Sequence, residues 1–371
     1  MTEATRIPFV ELRPGRDHAD IAAAIERVVT RGWFVLGPEV EAFETEFAAA
    51  SGAAHAVGVA NGTDAIALVL RALDIGPDDE VVVPAMTAAF TALAVIGAGA
   101  TPVIVDVEPD ALTLDADACE AALTDRTRAI VPVHLYGQPA AHMDRLVSMA
   151  AARGLAIVED CCQAHLATSA AGAVGTRGVA GAFSFYPTKN LGAMGDGGAV
   201  VTNDAALAAR IRRLRNGGQA SRYDHVEAGV NSRLDEMQAA ILRTRLAGLA
   251  DATGIRRRLA AAYRGRLDPR ARPIAEHDAG HVYHLFPIRS SARGTLQPFL
   301  GARGIETLVH YPVPLSNQPA FARFRPGACP VAGQAGRELL SLPLHPRLAA
   351  SEVLTVADAV NEFVERTLIT T

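Results

Sequence analysis

Lys189 is the only lysine among 35 basic residues; the other 34 are arginines. A surface cation can be either residue, so a drift toward arginine erases lysine wherever charge alone is needed. Arginine stays protonated, with a pKa above about 12, and cannot act as an amine nucleophile. The surviving lysine is therefore a candidate for amine chemistry, and composition leaves chance survival on the surface as the alternative. It stands in Phe183-Ser184-Phe185-Tyr186-Pro187-Thr188-Lys189-Asn190-Leu191-Gly192, ahead of Gly195-Asp196-Gly197-Gly198. There a predicted strand ends in a tight segment that offers the amine among glycines and hydroxyls.

Two further features suit the same chemistry. Asn61-Gly62-Thr63-Asp64 follows a predicted strand and opens a helix, where free N–H groups and the helix dipole make an anion site. Taken alone, such a segment reads first as a helix cap. Glu159-Asp160 ends the run LAIVED, and ligands of open parallel sheets bind at strand carboxyl ends. A single acid there also reads first as a cap. Together, however, a lysine amine, a carboxylate and a phosphate cradle are what a pyridoxal phosphate enzyme requires. The amine forms the Schiff base, the acid keeps the pyridine nitrogen protonated and the cradle holds the phosphate.

The surrounding pattern supplies elements to position them. Apolar runs at 56–60, 81–83, 102–107, 129–135 and 155–160 alternate with helical stretches such as Thr63–Leu73 and Met143–Arg153. That alternation predicts βαβ units and a mostly parallel sheet covered on both faces. Residues 81–105 lack any charged side chain, but Pro84, Gly97, Gly99 and Pro102 interrupt them. They read as strand (Glu80–Val83), helix (about Thr87–Ile96) and strand (Pro102–Val105) rather than a membrane span. Leu234–Leu246 and Ile255–Leu267 read as long helices, and irregular Pro- and Gly-rich text follows Pro269. The expected division is a large α/β domain over 1–250 and a smaller α/β domain over 251–371.

Composition narrows the partners. Half the residues are hydrophobic and 20% are charged, as in globular chains. A net charge of −5 without a basic run gives nucleic acid no footing. Cys119, Cys161, Cys162 and Cys329 show neither disulfide nor metal-site spacing, so a reducing compartment is expected and no metal. Glu3, Arg6, Glu11 and Arg13 leave no apolar signal region. The reading is a cytoplasmic protein with no membrane partner.

The chain resembles the DegT/DnrJ/EryC1/StrS aminotransferases, which aminate nucleotide-linked keto-sugars with pyridoxal 5′-phosphate. The resemblance runs nearly end to end: NGTDA at 61–65, GPDDEVVVP at 76–84, VPVHLYGQP at 131–139, FSFYPTKNLGAMGDGGAVVTND at 183–204, LRNGG at 214–218, GVNSRLDEMQAAIL at 229–242, HYPVP at 310–314 and LSLPLHP at 340–346. It implies the aspartate-aminotransferase fold (fold type I) and a homodimer with active sites at the subunit interface. By motif, Lys189 is the Schiff-base lysine and Asp160 the partner of the pyridine nitrogen. Gln163 would contact the ring hydroxyl. Gly62, Thr63 and Ser184 would hold the phosphate, joined by Asn231 of the neighbouring subunit. Tyr186, His310 and Tyr311, with Tyr223 from the other chain, fall on the sugar-nucleotide side. His165 reads equally as a pocket or a structural histidine. Bound diphosphate would call for local arginines or backbone amides.

Some positions depart from the family pattern. Ala88 stands where the family has a ring-stacking aromatic or histidine, and Phe90, two residues on, is the candidate substitute. Cys161-Cys162 replaces a small pair behind the cofactor, Ala140-Ala141-His142 carries one extra residue, and Ser316 stands where many relatives have histidine. HLYGQP and NSRLDEMQAAIL favour amination of a dTDP-3-keto-6-deoxyhexose over a 4-keto-sugar, and the resemblance implies glutamate as donor. Intact Lys189 and scattered cysteines speak against the sister class that removes a sugar hydroxyl. A cofactor-binding regulator without turnover is the alternative from another class. Lys189 is the one side-chain primary amine, so borohydride reduction should fix the cofactor at Lys189 alone. Peptide mapping that finds the label elsewhere would contradict the assignment.

Overall fold

A computed structural model describes residues 6–369; Glu3, cited above, lies outside them. Helices α1 (His18–Arg31) and α2 (Pro38–Ala50) come first. Strands and helices then alternate: β1 (His55–Val59), α3 (Gly62–Ala72), β2 (Glu80–Pro84), α4 (Ala89–Gly97), β3 (Thr101–Val105), α5 (Ala116–Ala121), β4 (Thr127–Ile130), α6 (Met143–Arg153) and β5 (Ala156–Asp160). A short hairpin of β6 (Thr168–Ser169) and β7 (Gly172–Ala173) precedes β8 (Ala180–Ser184), β9 (Gly198–Thr202) and α7 (Ala205–Leu214). The central sheet has the order β1-β9-β8-β5-β4-β2-β3. Only β9 runs against its neighbours; every other pairing is parallel. The mostly parallel α/β fold expected from the alternation is therefore present.

Strand residues divide between the two faces with period two, which is why these runs are apolar throughout. Val81, Val83, Val131 and Val158 join the core beneath α3 and α4. Val82, Ile130 and Ile157 face the other way, onto Leu146 and Met149 of α6. Phe43 and Phe47 of α2 cover the β8–β9 end, where the Phe47 ring meets Phe183 and Phe185 edge-on at 5.1 and 5.2 Å. The run at 129–135 makes a shorter strand than its composition suggests. Pro132 has no N–H for the ladder, so β4 stops at Ile130 and Val133 makes only an isolated bridge to Asp160.

Beyond the sheet, β10 (Gln219–Ser221) and β11 (Asp224–His225) form an exposed hairpin, followed by α8 (Glu236–Leu246) and α9 (Leu249–Arg266). α9 begins six residues before the expected Ile255, because 249–254 contains no proline and Asp251 suits a first helical turn. A second core gathers α9, β12 (Phe286–Arg289), α10 (Arg293–Gly301), β13 (Leu339–Leu342) and α12 (Ala350–Ile369), with α11 (Pro330–Glu338) leading into β13. β12 and β13 pair antiparallel, and Tyr263 of α9 stacks on Phe286 at 4.8 Å.

One buried acid ties α8 to the start of α2. The Glu236 carboxylate, fully buried, accepts N–H bonds from Gly37, Glu39 and Val40 at 2.8–2.9 Å. It thereby caps a helix whose own N-cap residue is a glycine without a side chain to do so. Glu236→Ala strands three donors, and an expected loss of about 3 kcal/mol should appear as a lower thermal unfolding midpoint. An unchanged midpoint would contradict this role.

Candidate active site

Strands β1, β2, β5 and β8 share one direction, so their carboxyl ends lie along one edge of the sheet. A chain reversal follows each: Asn61–Asp64 after β1, Thr87–Thr91 after β2, Asp160–Gln163 after β5 and Ser184–Lys189 after β8. These segments line one cavity of about 770 Å³, closed by Val133, Asp196 and Tyr311. Of the residues expected from sequence, it brings together Gly62, Thr63, Asp160, Gln163, Ser184, Tyr186, Lys189 and Tyr311.

At the cradle both readings of the first motif hold at once. Asn61 caps α3 through Oδ1, which accepts the Asp64 N–H at 2.8 Å. The N–H groups of Gly62 and Thr63 have no intrahelical acceptor and lie at the cavity. Glycine is required here by close approach: a Cβ on Gly62 would fall 2.6 Å from Cys162 Sγ and 2.8 Å from Ser184 Cβ. A Cβ on Gly198 would fall 2.4 Å from the Asn61 backbone.

The two acids of β5 part to opposite sides, and neither caps a helix as a lone acid was expected to. Glu159 is wholly buried and accepts N–H bonds from Gly175, Arg177 and Gly178 at 2.8–2.9 Å, with His134 Nε2 at 2.9 Å. Burial pushes its pKa up, but the His134 contact and these N–H bonds outweigh that and hold it below the ordinary carboxylate value. Asp160 faces the cavity. Its Oδ1 accepts the Cys162 N–H at 3.1 Å and its Oδ2 accepts the Thr91 hydroxyl at 2.8 Å.

Lys189 is half-buried in a tight turn whose N–H donates to Tyr186 O at 2.8 Å. Burial holds its amine below the ordinary lysine range, while Cys162 and Asp160 pull the other way. Gln163 is locked from both ends: its Oε1 accepts the Tyr136 N–H at 2.7 Å and its Nε2 donates to Tyr311 Oη at 2.9 Å. Burial keeps the Tyr311 phenol protonated. Tyr186 is exposed at the rim beside Phe90 and Leu93.

Other expected residues stand outside this cavity. His310 lies behind Tyr311, with Nδ1 on Ser341 Oγ at 3.0 Å and its ring against Phe9. Tyr223 is exposed at the turn of the β10–β11 hairpin, and Asn231 is exposed beside an isolated bridge to Asn216. His165 takes the structural role: buried against Phe183 and Phe185, it donates from Nε2 to Ser184 O at 2.9 Å. The added residue in Ala140-Ala141-His142 lies elsewhere, where Ala141 N–H bonds Thr113 Oγ1. No arginine lines the cavity among the described residues; Lys189 is its one basic side chain, opposite Asp64, Asp160 and Asp196. The expected local cations are thus missing from this chain's own wall. Sequence reasoning passed over Thr87 and Thr91, although two hydroxyls at helical spacing in an uncharged stretch were a readable signal.

Residues 16–361 match the model of the DegT/DnrJ/EryC1/StrS aminotransferase family. The dTDP-3-amino-3,4,6-trideoxy-alpha-D-glucose transaminase of Streptomyces venezuelae is 49% identical over 98% of this chain and 98% of its own. A UDP-N-acetyl-3-dehydro-alpha-D-glucosamine 3-aminotransferase of Acidithiobacillus ferrooxidans is 45% identical over 97% of this chain and 98% of its own. Among solved structures, Streptomyces venezuelae DesV in complex with a ketimine intermediate matches with a TM-score of 0.94 at 49% identity, over 97% of this chain and 99% of that one.

The buried histidines predict an acid response. Burial, reinforced by the Lys189 charge, pushes His165 to about 3, and burial pushes His281 to about 3. Their ordinary value is 6.5, so unfolding takes up protons once the pH falls below that value. Stability should be full above about pH 6.5 and decline from there toward pH 5, before carboxylates titrate. A flat unfolding midpoint across that window would contradict the prediction.

Proposed function

The chain belongs to the DegT/DnrJ/EryC1/StrS aminotransferase family and is an aminotransferase, and on that premise we propose that it uses pyridoxal 5′-phosphate to pass an amino group from glutamate to a nucleotide-linked 3-keto-6-deoxyhexose, with dTDP as the nucleotide. The observation that carries the reading is the convergence of the only lysine, a cavity-facing carboxylate and an open helix N-terminus at one sheet edge. The names of both relatives place the amino group at carbon 3, which supports that carbon over carbon 4.

The donor set fits the cofactor. The N–H groups of Gly62 and Thr63 with Ser184 Oγ suit a phosphate, and the bare Cα of Gly62 lets helix and strand close around it. Asp160 supplies a negative charge for a protonated ring nitrogen, and the free N–H of the locked Gln163 amide suits the ring hydroxyl. When bound, the cofactor supplies an aldehyde for an amine and a ring that accepts the electron pair of a broken Cα–H bond. Lys189 provides the amine and afterwards the base that takes and returns that proton. Its lowered pKa raises the neutral fraction able to do both. Tyr186 and Tyr311 offer surfaces and hydroxyls for the sugar.

Two acids beyond Asp160 repel a diphosphate, so this chain's cavity needs outside help. A homodimer adds neutral hydrogen-bond donors, with Asn231 of each copy reaching the other's cofactor phosphate and Tyr223 its sugar-nucleotide side. Supporting this, both are exposed, and exposed Trp33, Phe34 and Met194 surround the start of α8 with apolar surface.

In the test, the loaded protein is mixed with glutamate and then with dTDP-3-keto- or dTDP-4-keto-6-deoxyhexose. Glutamate should convert the cofactor's absorption to that of its amine form, and the 3-keto sugar should be aminated at carbon 3. Lys189→Arg should fold normally and lose more than about a thousandfold in turnover. A spectrum indifferent to amino acids, or an active Lys189→Arg protein, would sink the mechanism; preference for the 4-keto sugar would overturn the choice of carbon.

A further inference from the structure

The cavity wall contains a hydroxyl chain that none of the chemistry above uses. Thr87 Oγ1 and Thr91 Oγ1 lie 3.1 Å apart, and Thr91 Oγ1 lies 2.8 Å from Asp160 Oδ2. The three residues are 3%, 2% and 5% exposed, and all three line the cavity. An ionised carboxylate only accepts hydrogen bonds, so its partner sets the polarity of the chain: Thr91 donates to Asp160, and Thr87 donates to Thr91.

Thr91 sends its hydroxyl out of its own helix. Helical threonines commonly satisfy their hydroxyl on the carbonyl four residues back, and Thr45, Thr244 and Thr355 do so, on Glu41, Ala240 and Ser351. Thr91, in the first turn of α4, instead turns its hydroxyl across to β5. The two bonds on Asp160 also differ in kind. The Cys162 N–H comes from the same loop and holds Oδ1, whereas Thr91 comes from α4 and holds Oδ2. One bond leaves the carboxylate free to turn; two, from separate elements, fix its plane. From this we infer that Thr91, backed by Thr87, is a positioning residue that aims the Asp160 carboxylate at the cofactor's ring nitrogen. The inference rests on the reading in which Asp160 pairs with that nitrogen.

Thr91→Val keeps the shape and removes the hydroxyl; Thr91→Ser keeps the hydroxyl. The apo-protein's unfolding midpoint, the dissociation constant for pyridoxal 5′-phosphate by equilibrium dialysis, and kcat and KM for glutamate are measured for each. Thr91→Val should bind the cofactor about tenfold or more weakly and lose kcat more than KM, with an apo midpoint near that of the parent. Thr91→Ser should restore both within about threefold, and Thr87→Val, one bond further back, should show a smaller loss of the same kind. If Thr91→Val fails to fold, Thr87→Val carries the test alone. A cofactor analogue with carbon in place of the ring nitrogen should bind parent and Thr91→Val alike. Parent-like cofactor affinity in Thr91→Val, or in Thr87→Val where that variant stands alone, overturns the inference, as does a Thr91→Ser protein as impaired as Thr91→Val. Asp160→Asn separates the two levels: if it too binds cofactor like the parent, the reading of Asp160 falls and the inference with it; if it is crippled while Thr91→Val is normal, only the inference falls.

Discussion

The site depends on one constraint, the common direction of β1, β2, β5 and β8. Parallel strands need a crossover connection, by a helix or, between β5 and β8, by the β6–β7 hairpin segment, so each strand delivers its carboxyl end to the same edge. Reversals separated by more than a hundred residues, at 61–64 and 184–189, thereby become neighbours. The single antiparallel strand, β9, serves this arrangement. It fills the space between β1 and β8 without reversing either, and its first residue, Gly198, lets the Asn61 turn lie directly over it.

Behind the edge, charges are removed from water only where donors await them. Glu159 is surrounded by three backbone N–H groups and a histidine, so its burial leaves no unpaired acceptor. Those N–H groups belong to the turn at 175–178, which is thus stapled to the strand carrying Asp160. Lys189 differs: it lies in the cavity, and burial alone acts to strip its proton. Burial acts against the charge of both groups, and the donors around Glu159 offset it there.

Much of this was legible in the sequence because the signals were chemical and local. A lone lysine, an acid at a strand end and Asn-Gly-Thr before a helix need no tertiary knowledge, and α6 begins and ends at Met143 and Arg153 as its apolar period implies. What escaped depended on direction. Sequence shows that His165 and Gln163 stand two residues apart, not that one ring turns into the Phe183–Phe185 aromatics while the other side chain lines the cavity. Nor does it show that the Thr91 hydroxyl turns toward β5 and the Asp160 carboxylate. The shortened β4 and the early start of α9 were decided by one missing N–H and by the absence of a proline.

The walls of the cavity differ in how they are held. Its floor, from Gly62 and Ser184 to Asp160 and Gln163, is braced on every side, and a single added methyl at Gly62 would collide with two neighbours. Its rim, at Phe90, Leu93 and Tyr186, is exposed. Substitutions there can reshape what is admitted while the chemistry beneath stays intact. Such a molecule can change its sugar over evolutionary time far more readily than it can change its reaction.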